Sequence, residues 1–296
     1  MAVAGGCTGS AGGSGGPGAA LAFGGPGRTP GKFYRPRAIA AAADRLYVID
    51  MSGRIQVFDF DGKWLSEWTL AETSRGYPTG CAVRADGCLA VAETHNYVVR
   101  IYRPTGELVQ TIGREGGGPG EFTYLTDVAF DRSGNMFVSE HGREDRVQKF
   151  DSGGKFVTMW GRTGDGPGEF HRPQALAVDE KGDVYVADAA NHRIQKSTGD
   201  GRFLATWGEA GHEPGRLLYP YGLAFTASGN LIVSEYGNNR LSAFDTTWRS
   251  LGTWGVAGRE AGELATPWGV AWVSGRGAYV ADTENHRVQL FRIVSL

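Results

Sequence analysis

One phrase recurs along this chain and constrains its fold more than any other feature. Asp188-Ala-Ala-Asn-His-Arg-Ile-Gln195 and Asp282-Thr-Glu-Asn-His-Arg-Val-Gln289 are near copies, and Glu235-Tyr-Gly-Asn-Asn-Arg-Leu241 is a third. Weaker copies begin at Asp50, Glu93 and Glu140. The leading carboxylates are spaced 43, 47, 48, 47 and 47 residues apart, so six units account for nearly all of the 296 positions. A repeat of this length is one supersecondary unit, which buries its apolar surface only by stacking on its neighbours.

Each unit reads as four short strands. In the fourth, Gln174-Ala-Leu-Ala-Val178 and Asp183-Val-Tyr-Val-Ala187 flank a turn at Glu180-Lys-Gly182. Arg193-Ile-Gln-Lys196 and Phe203-Leu-Ala-Thr-Trp207 flank a second turn, at Gly199-Asp-Gly201. Short apolar runs bounded by Gly, Asp and Asn are the hairpin signature. The glycine content, 47 of 296, fits frequent turning, and 8 Trp, 11 Tyr and 14 Phe argue against disorder. Four strands repeated six times predict an all-β, six-bladed β-propeller with four-stranded antiparallel blades.

The connections between units repeat as well. Gly113 and Phe122, Gly161 and Phe170, Gly208 and Leu217, and Gly255 and Leu264 each lie nine apart. The glycine allows a positive φ where the chain crosses between blades, and the large apolar residue anchors the loop. The last unit stops after its third strand, whereas Leu21-Ala-Phe23-Gly24 and Phe33 copy the end of a unit with the same nine-residue spacing. The N-terminal segment is therefore expected to supply the outer strand of the last blade and close the ring, which removes an open sheet edge. The expected organisation is a Gly/Ser-rich linker over 1–18 and the propeller over 19–296.

The Asp-x-x-Asn-His-Arg-Ile-Gln phrase, with a proline a few residues after the Gly-rich loop, resembles the NHL-repeat family over about residues 19–296. The resemblance implies a six-bladed propeller. That family includes bacterial envelope and sensor domains, RNA-binding domains of tripartite-motif proteins and peptidyl-hydroxyglycine amidating lyases, so the fold leaves the function open.

Comparison between units separates frame from site. Positions that repeat build blades; positions that vary at a shared place on the ring are candidates for recognition. The residues after the repeat proline, or after Leu125 where the third unit has leucine in its place, are Arg37, Thr79, Thr126, Gln174, Tyr221 and Trp268, whereas two places further on the series is nearly uniform. The variable set is expected to ring one mouth of the channel. Arg37, Gln174, Tyr221 and Trp268 together suit an anion or polar group beside an aromatic face.

The principal reading is thus a binding or scaffold module that recognises a protein or small ligand at that mouth, without a cofactor. The alternative is a channel enzyme, a hydrolase, lactonase or amidating-lyase-like protein, holding one zinc or calcium ion. Its candidates are Asp127, His141 and Arg193. Asp127 is a lone carboxylate where the other units have Ala or Gly, and it suits either a metal ligand or general base, or a backbone hydrogen bond within the frame. Tyr124–Phe130 through Phe156–Trp160 resembles a blade of the amidating lyases, and Arg193 matches an arginine important there. The zinc-binding histidines of those lyases fall, however, where Gln174, Tyr221 and Trp268 stand here.

The repeated carboxylates and His192 and His286 read as frame, the former accepting backbone N–H bonds in turns. No HxH, HExxH or CxxC spacing is present, nor a nucleophile elbow or P-loop. With 30 basic against 32 acidic residues and a net charge of −2, composition argues against nucleic acid as the partner. No apolar run approaches the ~18 residues of a membrane span.

Val3-Ala-Gly-Gly-Cys7 resembles a bacterial lipobox followed by a flexible tether. This gives the expectation of a cell-envelope lipoprotein, attached to a membrane only through lipid on Cys7. A basic n-region and an apolar h-region do not precede Cys7 here, which keeps a cytoplasmic protein as the alternative. Cys81 and Cys88 lie on one hairpin at positions that do not face each other, so no disulfide is expected between them.

Overall fold

The computed structural model describes residues 18–70, 72–73 and 76–293. Six four-stranded antiparallel sheets are arranged as a ring. The innermost strands are β2 (Pro36–Ala41), β6 (Gly80–Val83), β10 (Tyr124–Phe130), β14 (Pro173–Val178), β18 (Pro220–Phe225) and β22 (Pro267–Val273). Each neighbours the next, and β22 neighbours β2. Among the described residues there is no α-helix, and single 3-10 turns occupy Ala189–Asn191 and Thr283–Asn285. Blades 1 to 6 are numbered from β2.

Blade 6 takes its fourth strand from the start of the chain. β1 (Leu21–Gly24) pairs antiparallel with β24 (Arg287–Phe291), Leu21 opposite Leu290 and Phe23 opposite Val288. Phe23 sits 4.9 Å from the ring of Phe58, in a cluster that joins Val288 and Leu290 of blade 6 to Leu46 and Val48 of blade 1. The ring closure expected from the sequence is present. The expected linker and Cys7 fall on residues 1–17, outside the described residues.

The repeated phrase is explained atom by atom. Asp188 is fully buried and accepts hydrogen bonds from Arg193 Nε at 2.7 Å, Asn191 Nδ2 at 2.9 Å, Gln195 Nε2 at 3.0 Å and the His171 N–H at 2.6 Å. The Arg193 guanidinium also donates to the carbonyls of Asp165, Gly166 and Glu169 in the preceding inter-blade loop. Asp282, Arg287, Asn285 and Gln289 repeat the arrangement. The unit therefore clamps a loop, which has little regular backbone pairing of its own, onto a buried ion pair. Buried charges survive only when paired and hydrogen-bonded in this way.

The loops show why glycine and a large apolar residue lie nine apart. Gly113, Gly161 and Gly208 have φ of 95°, 99° and 94°. A Cβ at Gly113 or Gly161 would come within 2.3 or 2.6 Å of the buried Phe122 or Phe170 ring, respectively. Both the backbone angle and the ring packed against it exclude a side chain there.

His192 and His286 serve the frame in a second way. Each adopts the left-handed conformation, with φ of 56°. His192 Nδ1 accepts the N–H of Tyr219 at 3.1 Å, and His286 Nδ1 accepts that of Arg35 at 3.2 Å. Asn239 Oδ1 and Asp145 Oδ2 do the same for Thr266 and Arg172. The four donors are themselves left-handed, with φ from 48° to 55°, and each immediately precedes a repeat proline. Each turn thus latches the entry point of the next blade's inner strand.

Candidate functional site

That entry point creates the mouth. In five blades the register between the first two strands slips close to that entry point, between Pro36 and Ala38, Leu125 and Asp127, Pro173 and Ala175, Pro220 and Gly222, and Pro267 and Val270. The unpaired residues are Arg37, Thr126, Gln174, Tyr221 and, with Gly269, Trp268. A β-bulge re-aims the side chain it carries. The residues that vary between units are therefore those freed from the ladder at the channel opening.

A cavity of about 300 Å³ runs between the six inner strands. Above it, a second cavity of about 270 Å³ is lined by Arg37, Thr79, Thr94, His95, Tyr124, Thr126, His141, Arg172, Gln174 and Trp268. Five of the six mouth residues expected from the sequence meet here. The sixth, Tyr221, does not line this upper cavity. Its ring lies edge-on to Trp268 at 4.8 Å and stacks on Tyr236 at 4.6 Å, so it supports the wall.

The hydroxyls of Thr79 and Thr126 are already engaged. Thr79 Oγ1 donates to the Thr126 carbonyl of the next blade at 2.8 Å, and Thr126 Oγ1 lies 2.7 Å from Ser139 Oγ. Arg37 and Gln174 differ. Their side chains have no hydrogen-bond or ion-pair partner among the described residues. The Arg37 guanidinium lies 4.4 Å from the centroid of the Trp268 ring, its Nε buried. Burial and the neighbouring Arg35 lower its pKa from the ordinary arginine value. Arg35 is itself paired, with Glu284 at 2.9 Å. No carboxylate lines the upper cavity, and Arg172 brings a second guanidinium.

On the opposite side, Tyr124 lies between His95 and His141, with ring centroids 5.4 and 5.5 Å away. Burial, and secondarily Arg172, lower the pKa of His141, so its imidazole is neutral near pH 7. Arg172, His95, Tyr124 and Thr94 were not among the mouth residues read from the sequence. Arg172 lies on the latch, Thr94 and His95 on the turn after the second strand, and Tyr124 at the start of β10, none of them at the varying position.

The three alternative catalytic candidates are not brought together. His141 lines the upper cavity, but Asp127 lies in the channel wall below it. Asp127 Oδ2 accepts the Leu176 N–H of the next blade at 2.9 Å, and burial pushes its pKa up to about 7. Gly80 makes room for it, because a Cβ there would lie 2.2 Å from Asp127 Oδ1. Arg193 is a correction: its Nε, Nη1 and Nη2 all serve the loop clamp, and it does not reach the upper cavity.

Among the described residues no three His, Cys, Asp or Glu side chains converge to hold a metal ion. The side chains present therefore do not supply the three-ligand set that the zinc ion of the alternative reading needs. Cys81 and Cys88 are both free thiols, and burial raises the pKa of Cys81 well above its usual value, which makes it a poor nucleophile.

The architecture and its repeats define a six-bladed β-propeller. Residues 170–196 and 264–291, in blades 4 and 6, match the NHL repeat family, and residues 82–139 match a family described as 6-bladed beta-propeller. No curated protein matches the sequence.

Several solved structures share the fold. A streptogramin B lyase superposes with a TM-score of 0.66 at 12% identity, covering 90% of this chain and 96% of that one. Virginiamycin B lyase from Staphylococcus aureus gives 0.61 at 11% identity, with 88% and 96% covered. A protein of unknown function from Bacteroides thetaiotaomicron gives 0.69 at 16% identity, with 90% and 71% covered. These likenesses are in fold, and no amidating lyase is among the similar proteins described.

Proposed function

We propose that this propeller is a binding module whose mouth recognises an anionic group carried by a small molecule or a protein segment. The observation that carries this reading is Arg37, a half-buried guanidinium stacked on Trp268, its Nε shielded and its side chain without an ion-pair or hydrogen-bond partner among the described residues, the nearby Glu284 being paired with Arg35. An unpaired buried charge costs free energy. A carboxylate or phosphate entering the cavity supplies the missing charge-assisted hydrogen bonds. Arg172 adds a second positive charge, Gln174 a neutral donor and acceptor, and the indole favours anions borne on an apolar body.

Titration calorimetry with benzoate and phenyl phosphate tests this reading. Saturable binding is expected in the wild type and its loss in Arg37→Gln. Absence of binding, or binding that the substitution leaves unchanged, overturns it. The Gly/Ser-rich start and Cys7 support presentation of the propeller from the cell envelope. Lipid labelling that disappears in Cys7→Ser, in the chain as expressed in a bacterium, tests that placement against a cytoplasmic one.

A second reading draws on His141. A neutral imidazole in the same cavity as two guanidinium groups suits a general base acting on an anion-bearing substrate. The shared fold with streptogramin B lyase makes a streptogramin B antibiotic the first substrate to try. Product formation that is lost in His141→Asn favours the enzyme, and no product favours the binding module.

A further inference from the structure

One hydrogen bond of the frame is missing from blades 1 and 3 among the described residues; in blade 1 the asparagine position is taken by Gly53, with φ of 74°. In blades 2, 4, 5 and 6 an asparagine stands three residues after the leading carboxylate: Asn96, Asn191, Asn238 and Asn285. Each donates its carboxamide N–H to an inter-blade loop carbonyl, those of Glu72, Gly164, Gly211 and Gly258, at 2.8–2.9 Å. In blade 3 the position holds Arg143, and the turn is one residue longer than in blade 4 before the clamp arginine, Arg146. The matching carbonyl is that of Gly116, and it accepts no hydrogen bond among the described residues.

A cleft of about 300 Å³ opens at that place, lined by Tyr97, Glu115, Gly116, Tyr124, Gly142 and Arg143 among others. Gly142 keeps it open: its φ is 124°, and a Cβ there would lie 2.9 Å from the Tyr124 ring. The side chains of Glu115 and Arg143 make no ion pair among the described residues. Tyr124 lines both this cleft and the mouth cavity, so one aromatic ring divides the two.

We propose that the cleft is a second recognition pocket and that it takes a primary carboxamide, the group the repeat's own asparagine places there in four other blades. The carboxamide N–H meets the Gly116 carbonyl, with the Glu115 carboxylate as a further acceptor and Arg143 as a donor to the amide oxygen. With the anion reading of the mouth, on which this extension rests, the ligand class becomes a carboxamide-bearing anion lying across Tyr124.

The experiment uses acetamide, which is the asparagine side chain without its backbone, and the full 15N-labelled chain. Saturable shifts are expected at the Gly116 and Gly142 amides. Arg143→Asn supplies the carboxamide from the chain itself, so it is expected to weaken acetamide binding by about tenfold or more and to raise the melting temperature. Arg143→Ala loses the donor to the amide oxygen but leaves the Gly116 carbonyl open, so it is expected to weaken acetamide binding less than Arg143→Asn does, with the Gly116 and Gly142 shifts still reached at saturation.

Saturating benzoate is expected to leave the acetamide shifts in place, because the two probes occupy different cavities. No shift at Gly116 and Gly142, or shifts spread over the whole chain, overturns the pocket. Displacement of acetamide by benzoate overturns the two-pocket arrangement. Failure of benzoate to bind, with acetamide still binding, rejects the mouth reading and leaves the cleft standing.

Discussion

Arg37 and Trp268 stack at 4.4 Å although they belong to the first and last blades of the ring. The contact joins a cation without an ion-pair partner to an indole whose Nε1 is also without a hydrogen-bond partner, among the described residues. Two unsatisfied polar groups side by side form a poor piece of core and a well-prepared ligand contact. Stability and recognition are therefore opposed at this point.

Arg37→Met separates the two. It removes a desolvated charge while keeping apolar contact with the ring, so the melting temperature is expected to rise while benzoate binding disappears. Calorimetric melting and titration on one preparation check both. A lower melting temperature means that the guanidinium is compensated within the protein.

The loop clamp predicts the opposite response. Asp188→Ala leaves the Arg193 guanidinium without its carboxylate in a site where Asp188 is fully buried. Breaking one side of such a pair costs about 3–5 kcal/mol. Urea unfolding should show a loss of that order. A loss below ~1 kcal/mol would place the clamp among the weak surface pairs.

Asp127 gives a pH dependence with a definite sign. Its pKa is raised to about 7 from the ordinary 3.8, so between those values the folded state holds a proton that the unfolded state has released. Stability contributed at this site is full below pH 3.8 and is lost as pH rises through 7. Asp127→Asn keeps an oxygen for the Leu176 N–H and removes the titration. At pH 8 the variant is expected to be the more stable, by up to ~4 kcal/mol, and the advantage disappears below pH 4. Parallel pH–stability curves for the two proteins would refute this.

Removing residues 1–24 tests ring closure. The deletion removes β1 and the partial burial of Leu21 and Phe23, each contributing less than the ~1.5–3 kcal/mol of a fully buried side chain, and it uncovers the β24 edge. A lower melting temperature and concentration-dependent association are expected. An unchanged melting temperature refutes closure by this segment.

The ring, its four-stranded blades and its closing strand were all legible, because each is a repeated pattern and repetition reports on packing. Comparison between units also found Arg37, Gln174 and Trp268. It could not show that a bulge turns them inward, since a register slip leaves no compositional trace. Arg172 escaped because its function follows from a left-handed residue before a proline, a conformation that sequence preferences disfavour there. His95 and Tyr124 escaped because neighbouring blades contribute them, one from a turn and the other from the first position of β10. Arg193 misled for the converse reason: a residue that repeats belongs to the frame, whatever it resembles elsewhere.

The pairing of Leu21 with Leu290 sets an order in time. Five blades are built from local hairpins and can form as soon as each stretch of chain is available. The sixth needs both ends of the propeller, the most distant contact in its topology and so the slowest to be reached. Arg37 and Trp268 meet only across that seam. On the proposed binding reading, ligand binding at the mouth is expected to appear last in folding and to report that the whole ring has been assembled.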